Sequence, residues 1–127
     1  MAVIDMTQKY KNLYERIIAR DTTITELTTS AATIGNSALR NFSSLTHVYL
    51  KGATAIKAQA MQGCANLRDI YIYTNSVCAL ENTNAIPTTQ TIQTTNIHVP
   101  AALIRGYKTA ANWATLYGDG DIEFISL

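Results

Sequence analysis

The stretch Ile34-Gly35-Asn36-Ser37-Ala38-Leu39-Arg40-Asn41-Phe42-Ser43-Ser44-Leu45-Thr46-His47-Val48-Tyr49-Leu50 repeats itself over residues 56–72. Ile34 falls on Ile56, Ala38 on Ala60, Leu39 on Met61 and Phe42 on Cys64. Leu45 then falls on Leu67, Val48 on Ile70, Tyr49 on Tyr71 and Leu50 on Ile72. Matched positions are apolar, small or aromatic, and the positions between them vary. A repeat of this length marks stacked coils, each burying its apolar side only against its neighbours.

Working outward, residues 22–33 read as a worn first coil. Ile24 precedes Leu45 and Leu27 precedes Val48 by one residue less than the later period. Strands are expected near 47–50 and 69–73, each preceded by a short helical or tight-turn segment over 36–41 and 58–63. Ala38 and Ala60 are small where two backbones pass closely. The next strand, Asn96-Ile97-His98-Val99, follows a Thr/Asn-rich stretch over 82–96 that lengthens its coil by five residues. Such residues favour turns and β structure over helix.

Residues 6–20 read as a helix, with Tyr10, Leu13 and Ile17, and beside them Tyr14 and Ile18, on one apolar stripe. Asp5 and Gln8 form its capping pair. The stripe either caps the open end of the coils or docks on another protein. At the other end, Pro100 suits the first position of a helix. Leu103, Ile104 and Tyr107 give that helix an inner face, and Trp113, Leu116 and Tyr117 extend it. A turn at Gly118-Asp119-Gly120 leads to a final edge strand, Ile122-Glu123-Phe124. The chain divides into 1–21, an N-terminal helix; 22–99, the repeats; and 100–127, a helical C-terminal cap.

Composition narrows the function. With 127 residues, 47% hydrophobic and 15% charged, the chain is one folded domain and no disordered tail. A net charge of +1 supplies no basic field for nucleic acid. No apolar run reaches the ~18 residues of a membrane span, and no uninterrupted apolar core of a secretory signal follows Met1. Cys64, in the inward position of Phe42, reads as a small buried thiol. A bridge to Cys78 and the redox compartment both stay open.

No catalytic constellation emerges. His47 and His98 are the two histidines, and neither has zinc-site spacing. Gly118-Asp119-Gly120-Asp121 lacks the further oxygen ligands of a calcium loop and reads as a turn. No phosphate loop or nucleophile elbow is present, so neither cofactor nor metal is expected.

The repeat supplies a surface instead. Strand alternation turns Val48, Leu50, Ile70, Ile72, Ile97 and Val99 inward. One outward row is then Thr28, Tyr49, Tyr71, His98, and its neighbour is Glu26, His47, Asp69, Asn96; Tyr73 extends the aromatic patch. Tyrosine there suits recognition, having a large contact area, few rotors and a polar tip. It equally satisfies the β preference of a half-exposed sheet. The candidate binding surface is Tyr49, Tyr71, Tyr73, His47, His98 and Asp69. The candidate docking helix carries Tyr10, Leu13, Tyr14, Ile17 and Ile18.

The spacing Leu-x-x-Val-x-Leu, then Leu-x-x-Ile-x-Ile, resembles the BspA-like leucine-rich repeats of bacteria. Their pattern is Ile-Gly-x-x-Ala-Phe, then Cys-x-x-Leu-x-x-Val-x-Ile-Pro. It is carried by Ile34-Gly35-Asn36-Ser37-Ala38-Leu39 with Leu45, Val48 and Leu50, and again over 56–72. The ending from Ile97-His98-Val99-Pro100 to Asn112-Trp113 is similar to the family's closing module. The match covers about residues 22–127. Leu39 and Met61 stand for the usual Phe, Lys57 for the Gly, and Lys51 and Tyr73 where Pro often follows.

The resemblance implies an α/β fold: a short leucine-rich-repeat solenoid with one parallel sheet of roughly four strands, an N-terminal helix and a helical C-terminal cap. It also implies non-catalytic recognition. Short members that open with such a helix are similar to proteins encoded among phage structural genes. The expected function is therefore a structural or recognition module of a phage or phage-like particle, engaged in attachment and located in the virion. Its partners would be other virion or surface proteins and cell-wall glycan, with self-association open. The alternative is a bacterial surface or secreted adhesion module, extracellular, that binds protein or glycan.

Overall fold

The computed structural model describes residues 2–5, 23–87 and 94–127. The helix expected over 6–20, with Tyr10, Leu13, Tyr14, Ile17 and Ile18, lies outside the described residues. So does the middle of the Thr/Asn-rich stretch.

The fold is α/β, built on parallel strands. The larger sheet has six strands in the spatial order β1 (Ala2–Asp5), β2 (Ile24–Thr29), β4 (His47–Leu50), β6 (Asp69–Ile72), β8 (Thr95–Val99) and β9 (Ile122–Ser126). A second sheet holds β3 (Thr33–Ile34), β5 (Ala55–Ile56) and β7 (Ala79–Leu80), also parallel. From β2 to β8 the chain alternates between the two sheets.

Two expectations are corrected here. There are two sheets rather than one, because Ile34, Ile56 and Leu80 pair in two-residue strands too short to leave a periodic signal. The larger sheet holds the four strands expected, the edge strand expected at Ile122-Glu123-Phe124 and one more, β1. Ala2–Asp5, placed in the N-terminal helix segment 1–21, is a strand paired in parallel with β2.

The expected registers hold. Leu27 pairs with Val48, Val48 with Ile70, and Ile70 with Ile97. Strand alternation therefore turns one face of the large sheet onto the core. Val48, Leu50, Ile70, Ile72, Ile97 and Val99 are all buried, and Ile34, Leu39, Phe42, Leu45, Ile56, Met61, Cys64 and Leu67 meet them from the turns and the small sheet. Thr29 and Thr95 are also buried, and both are satisfied: Thr29 Oγ1 accepts from the Ala31 N–H at 3.1 Å, and Thr95 Oγ1 donates to the Leu67 carbonyl at 3.4 Å.

The segments 36–41 and 58–63 are turns whose backbones bond from one sequence repeat to the next. Leu39 N–H donates to the Ala60 carbonyl at 2.7 Å and Met61 N–H to the Ala85 carbonyl at 2.9 Å. That close approach is why Ala38 and Ala60 are small. Left-handed backbone recurs at matching places, Ser37 with Gln59 and Asn41 with Gly63. Glycine is favoured at 63, where φ is +81° and a Cβ would meet the Asn41 side chain. Cys64 and Cys78 are buried free thiols, with no bridge between them.

The C-terminal segment closes the core. Pro100 precedes a 3-10 turn, Ala101–Leu103, as its cap rather than starting a helix. Helices α1 (Ile104–Thr109) and α2 (Trp113–Gly118) follow. Tyr107 and Trp113 are fully buried, and Leu103, Ile104 and Tyr117 pack against the same cluster. After the turn at Gly118, β9 lies on β8 with Ile97 opposite Phe124.

Candidate recognition surface

Strand alternation leaves the other face of the large sheet half-exposed, and the registers set its side chains in rows. Thr28, Tyr49, Tyr71 and His98 are in register across β2, β4, β6 and β8. Beside them run Glu26, His47, Asp69, Asn96 and, on β9, Glu123. Neighbouring strands lie about 4.8 Å apart, close to the thickness of a stacked ring pair, so the rings of one row stand upright against each other. Tyr49 and Tyr71 stack with centroids 4.6 Å apart and planes 13° off parallel. Tyr71 and His98 continue the column at 4.1 Å and 10°.

One carboxylate braces this column. Asp69 Oδ1 accepts from His98 Nε2 at 2.8 Å and from Asn96 Nδ2 at 3.2 Å. His47 Nε2 stands 3.3 Å from Asp69 Oδ2. On its other side, His47 Nδ1 meets Thr46 Oγ1 at 2.9 Å. Burial pushes the Asp69 carboxyl up, but the hydrogen bonds from His98 and Asn96 and the charge of the imidazoles outweigh it. The group is held below the ordinary carboxylate value. A shared acceptor between two rings on different strands fixes their orientation, and the exposed side chains thereby lose little further entropy on binding.

The tyrosine hydroxyls are shifted the opposite way. Burial in the column, then the negative charge of Glu26, raises Tyr49; burial, then Asp69, raises Tyr71. Both therefore stay protonated donors near neutral pH. Tyr73 lies 6.4 Å from Tyr71 in a near-parallel orientation, and Lys51 Nζ sits over its ring, 3.9 Å from the centroid.

All six residues of the expected surface thus fall on one face. Tyr49, Tyr71 and His98 form the column, His47 and Asp69 support it, and Tyr73 flanks it. Two features escaped the sequence. The role of Asp69 as shared acceptor depends on His98 reaching diagonally to it, which row spacing does not encode. Lys51 over Tyr73 left a signal, since the two residues are one repeat apart.

Among the described residues, no group of three or more His, Cys, Asp or Glu side chains is placed to hold a metal ion. No described helix is long and apolar enough to cross a membrane. A cavity of about 320 Å³ lies away from the column, lined by Thr33, Gly35, Asn36 and Lys57. Lys57 there also pairs with Glu81 at 3.5 Å. Comparison with protein-family models and with curated protein sequences returns no match.

Proposed function

We propose that this chain is a short leucine-rich-repeat solenoid acting as a non-enzymatic recognition module of a phage or phage-like particle, its ligand bound on the outward face of the six-stranded sheet. The observation that carries the reading is the Tyr49–Tyr71–His98 column, preordered by Asp69 on a half-exposed surface. Aromatic side chains held rigid before binding make efficient anchors. The solenoid assignment is supported by coils that alternate between two parallel sheets at the spacing of the repeat. The virion assignment draws on the resemblance to short BspA-like repeats, and attachment to a host is the role that fits both.

The reading is tested by capturing virion proteins and host cell-wall glycans on the immobilised chain. Tyr49→Ala and Tyr71→Ala should each weaken capture by about 1 kcal/mol or more while the fold persists. Normal capture by both variants moves the interface off the column. The adhesion-module alternative shares the surface and differs in its setting; retention of glycans without any virion protein would favour it.

A further inference from the structure

Among the described residues the aromatic column ends at Tyr49 on β4, and no other ring stacks on the side of Tyr49 that faces β2. Tyr71 covers one side of Tyr49. The opposite side looks along the sheet toward β2, where the register puts Thr28. A threonine is too short to cover a phenol ring. Beside Thr28 on the same strand stands Glu26, in register with His47. Its carboxylate is in none of the ion pairs among the described residues, and its charge is felt at the Tyr49 hydroxyl.

The molecule shows, at the next row, what such a face accepts. Tyr73 receives Lys51 over its ring, and Lys51 follows β4, the strand on the β2 side of Tyr73. Thr28 holds the corresponding place beside Tyr49. The row of rings thus has a built-in ammonium at Tyr73 and, among the described residues, an unfilled equivalent at Tyr49.

We propose that the face of Tyr49 toward β2, with Thr28 as floor and Glu26 as counter-charge, is a subsite for a lysine or arginine side chain of a protein partner. This rests on the reading that the outward face of the sheet is the recognition surface. Charge complementarity selects the occupant. On this face Asp69 is already engaged by His98, Asn96 and His47, and Lys51 is engaged by Tyr73. Among the described residues no cation pairs with Glu26, which stands beside an aromatic face whose quadrupole attracts cations. A neutral sugar could use the ring but would cover a carboxylate without neutralising it, which costs desolvation.

The test is an NMR titration of the full chain with Nα-acetyl-lysine methylamide and its arginine counterpart. Glucosamine and a neutral N-acetylglucosamine oligomer serve as the competing sources. The lysine and arginine probes should move the Thr28 and Tyr49 resonances. Glu26→Gln should weaken them about two- to fivefold, the scale of an exposed cation–π contact with its counter-charge. Thr28→Lys, which fills the subsite in cis as Lys51 does at Tyr73, should abolish the shifts while the melt stays near wild type. No shift at Thr28 and Tyr49, equal binding in Glu26→Gln, or tighter binding of the neutral oligomer each overturns the subsite. Partner capture separates this failure from a wider one. If Tyr71→Ala weakens capture while Glu26→Gln and Thr28→Lys do not, the surface stands and the subsite falls; if none of the three matters, the recognition reading itself falls.

Discussion

Two aromatic groups in this chain use similar residues to opposite ends. On the outward sheet face, Tyr49, Tyr71 and His98 stack nearly parallel, with their edges toward solvent. In the C-terminal cluster, Tyr107 and Trp113 meet edge to face at 80°, and Trp113 meets Phe124 at 65°. The first arrangement follows from strand spacing, which permits only upright, parallel rings. The second follows from filling a closed volume, where tilted rings leave fewer voids.

Polar atoms mark the difference. Trp113 Nε1 donates to the Cys78 carbonyl at 2.7 Å, and the Cys78 N–H donates to Tyr107 Oη at 2.8 Å. Asn112 Nδ2 adds a bond to the Leu80 carbonyl at 2.7 Å. The buried cluster therefore uses its polar groups internally, tying the two helices to β7 and to Cys78 just before it. On the sheet face the Asp69 network orients the rings but leaves the tyrosine hydroxyls outward. One group holds the fold; the other is the surface proposed for a partner.

The largest effect that would break this contrast is expected at Trp113. Trp113→Ala should cost about 3–5 kcal/mol through lost burial and the cavity it leaves, read by chemical denaturation. A loss as small as that of a surface tyrosine would place the cluster outside the core. Next comes Tyr107→Phe, which keeps the ring but strips the Cys78 N–H of its acceptor. The expected cost is about 1–3 kcal/mol, and a neutral result would mean that water replaces the hydroxyl. Tyr71→Ala should cost less, on the order of 1 kcal/mol, the value of its cross-strand stacking. A loss equal to that of Trp113→Ala would make the column part of the core.

The smallest effect concerns pH, and Asp69 and Tyr107 should act at opposite ends of the range. Asp69 titrates in the folded chain below its ordinary value. Its stabilisation is complete above about pH 4 and is lost as pH falls through the folded value. The stability gap between wild type and Asp69→Asn should therefore close in acid. Burial, opposed in part by the Cys78 N–H, pushes the Tyr107 hydroxyl up to about 12. Its contribution is complete below about pH 10 and falls as pH rises toward that folded value. Tyr107→Phe should remove its share of the alkaline limb, which Cys78, Tyr49 and Tyr71 also feed, and leave the acid one. Acid and alkaline melts of the two variants check both halves, and a crossed pattern would reverse the assignments.

The core and the rows were legible because each inward residue has a counterpart one coil away. Leu27, Val48, Ile70 and Ile97 pair as their spacing required, even across a shortened and a lengthened coil. The candidate surface followed, since outward residues are those between inward ones. Strand β1 was not legible: four residues carry little periodicity, and their partner lies beyond a long intervening segment. The left-handed backbone at Ser37 and Gln59 was equally hidden, because neither residue type announces it.

Sequence alone determined which side chains face inward, which share an outward row, and that the end of the chain must cover the last coil. Those are consequences of repeat spacing and of burying apolar surface, and both are local enough to read along the chain. Only the tertiary structure decided that the rings stack face to face and that Asp69 serves two imidazoles at once. These depend on side-chain directions across three strands, where a diagonal reach of a few ångströms separates a braced column from a row of independent tyrosines.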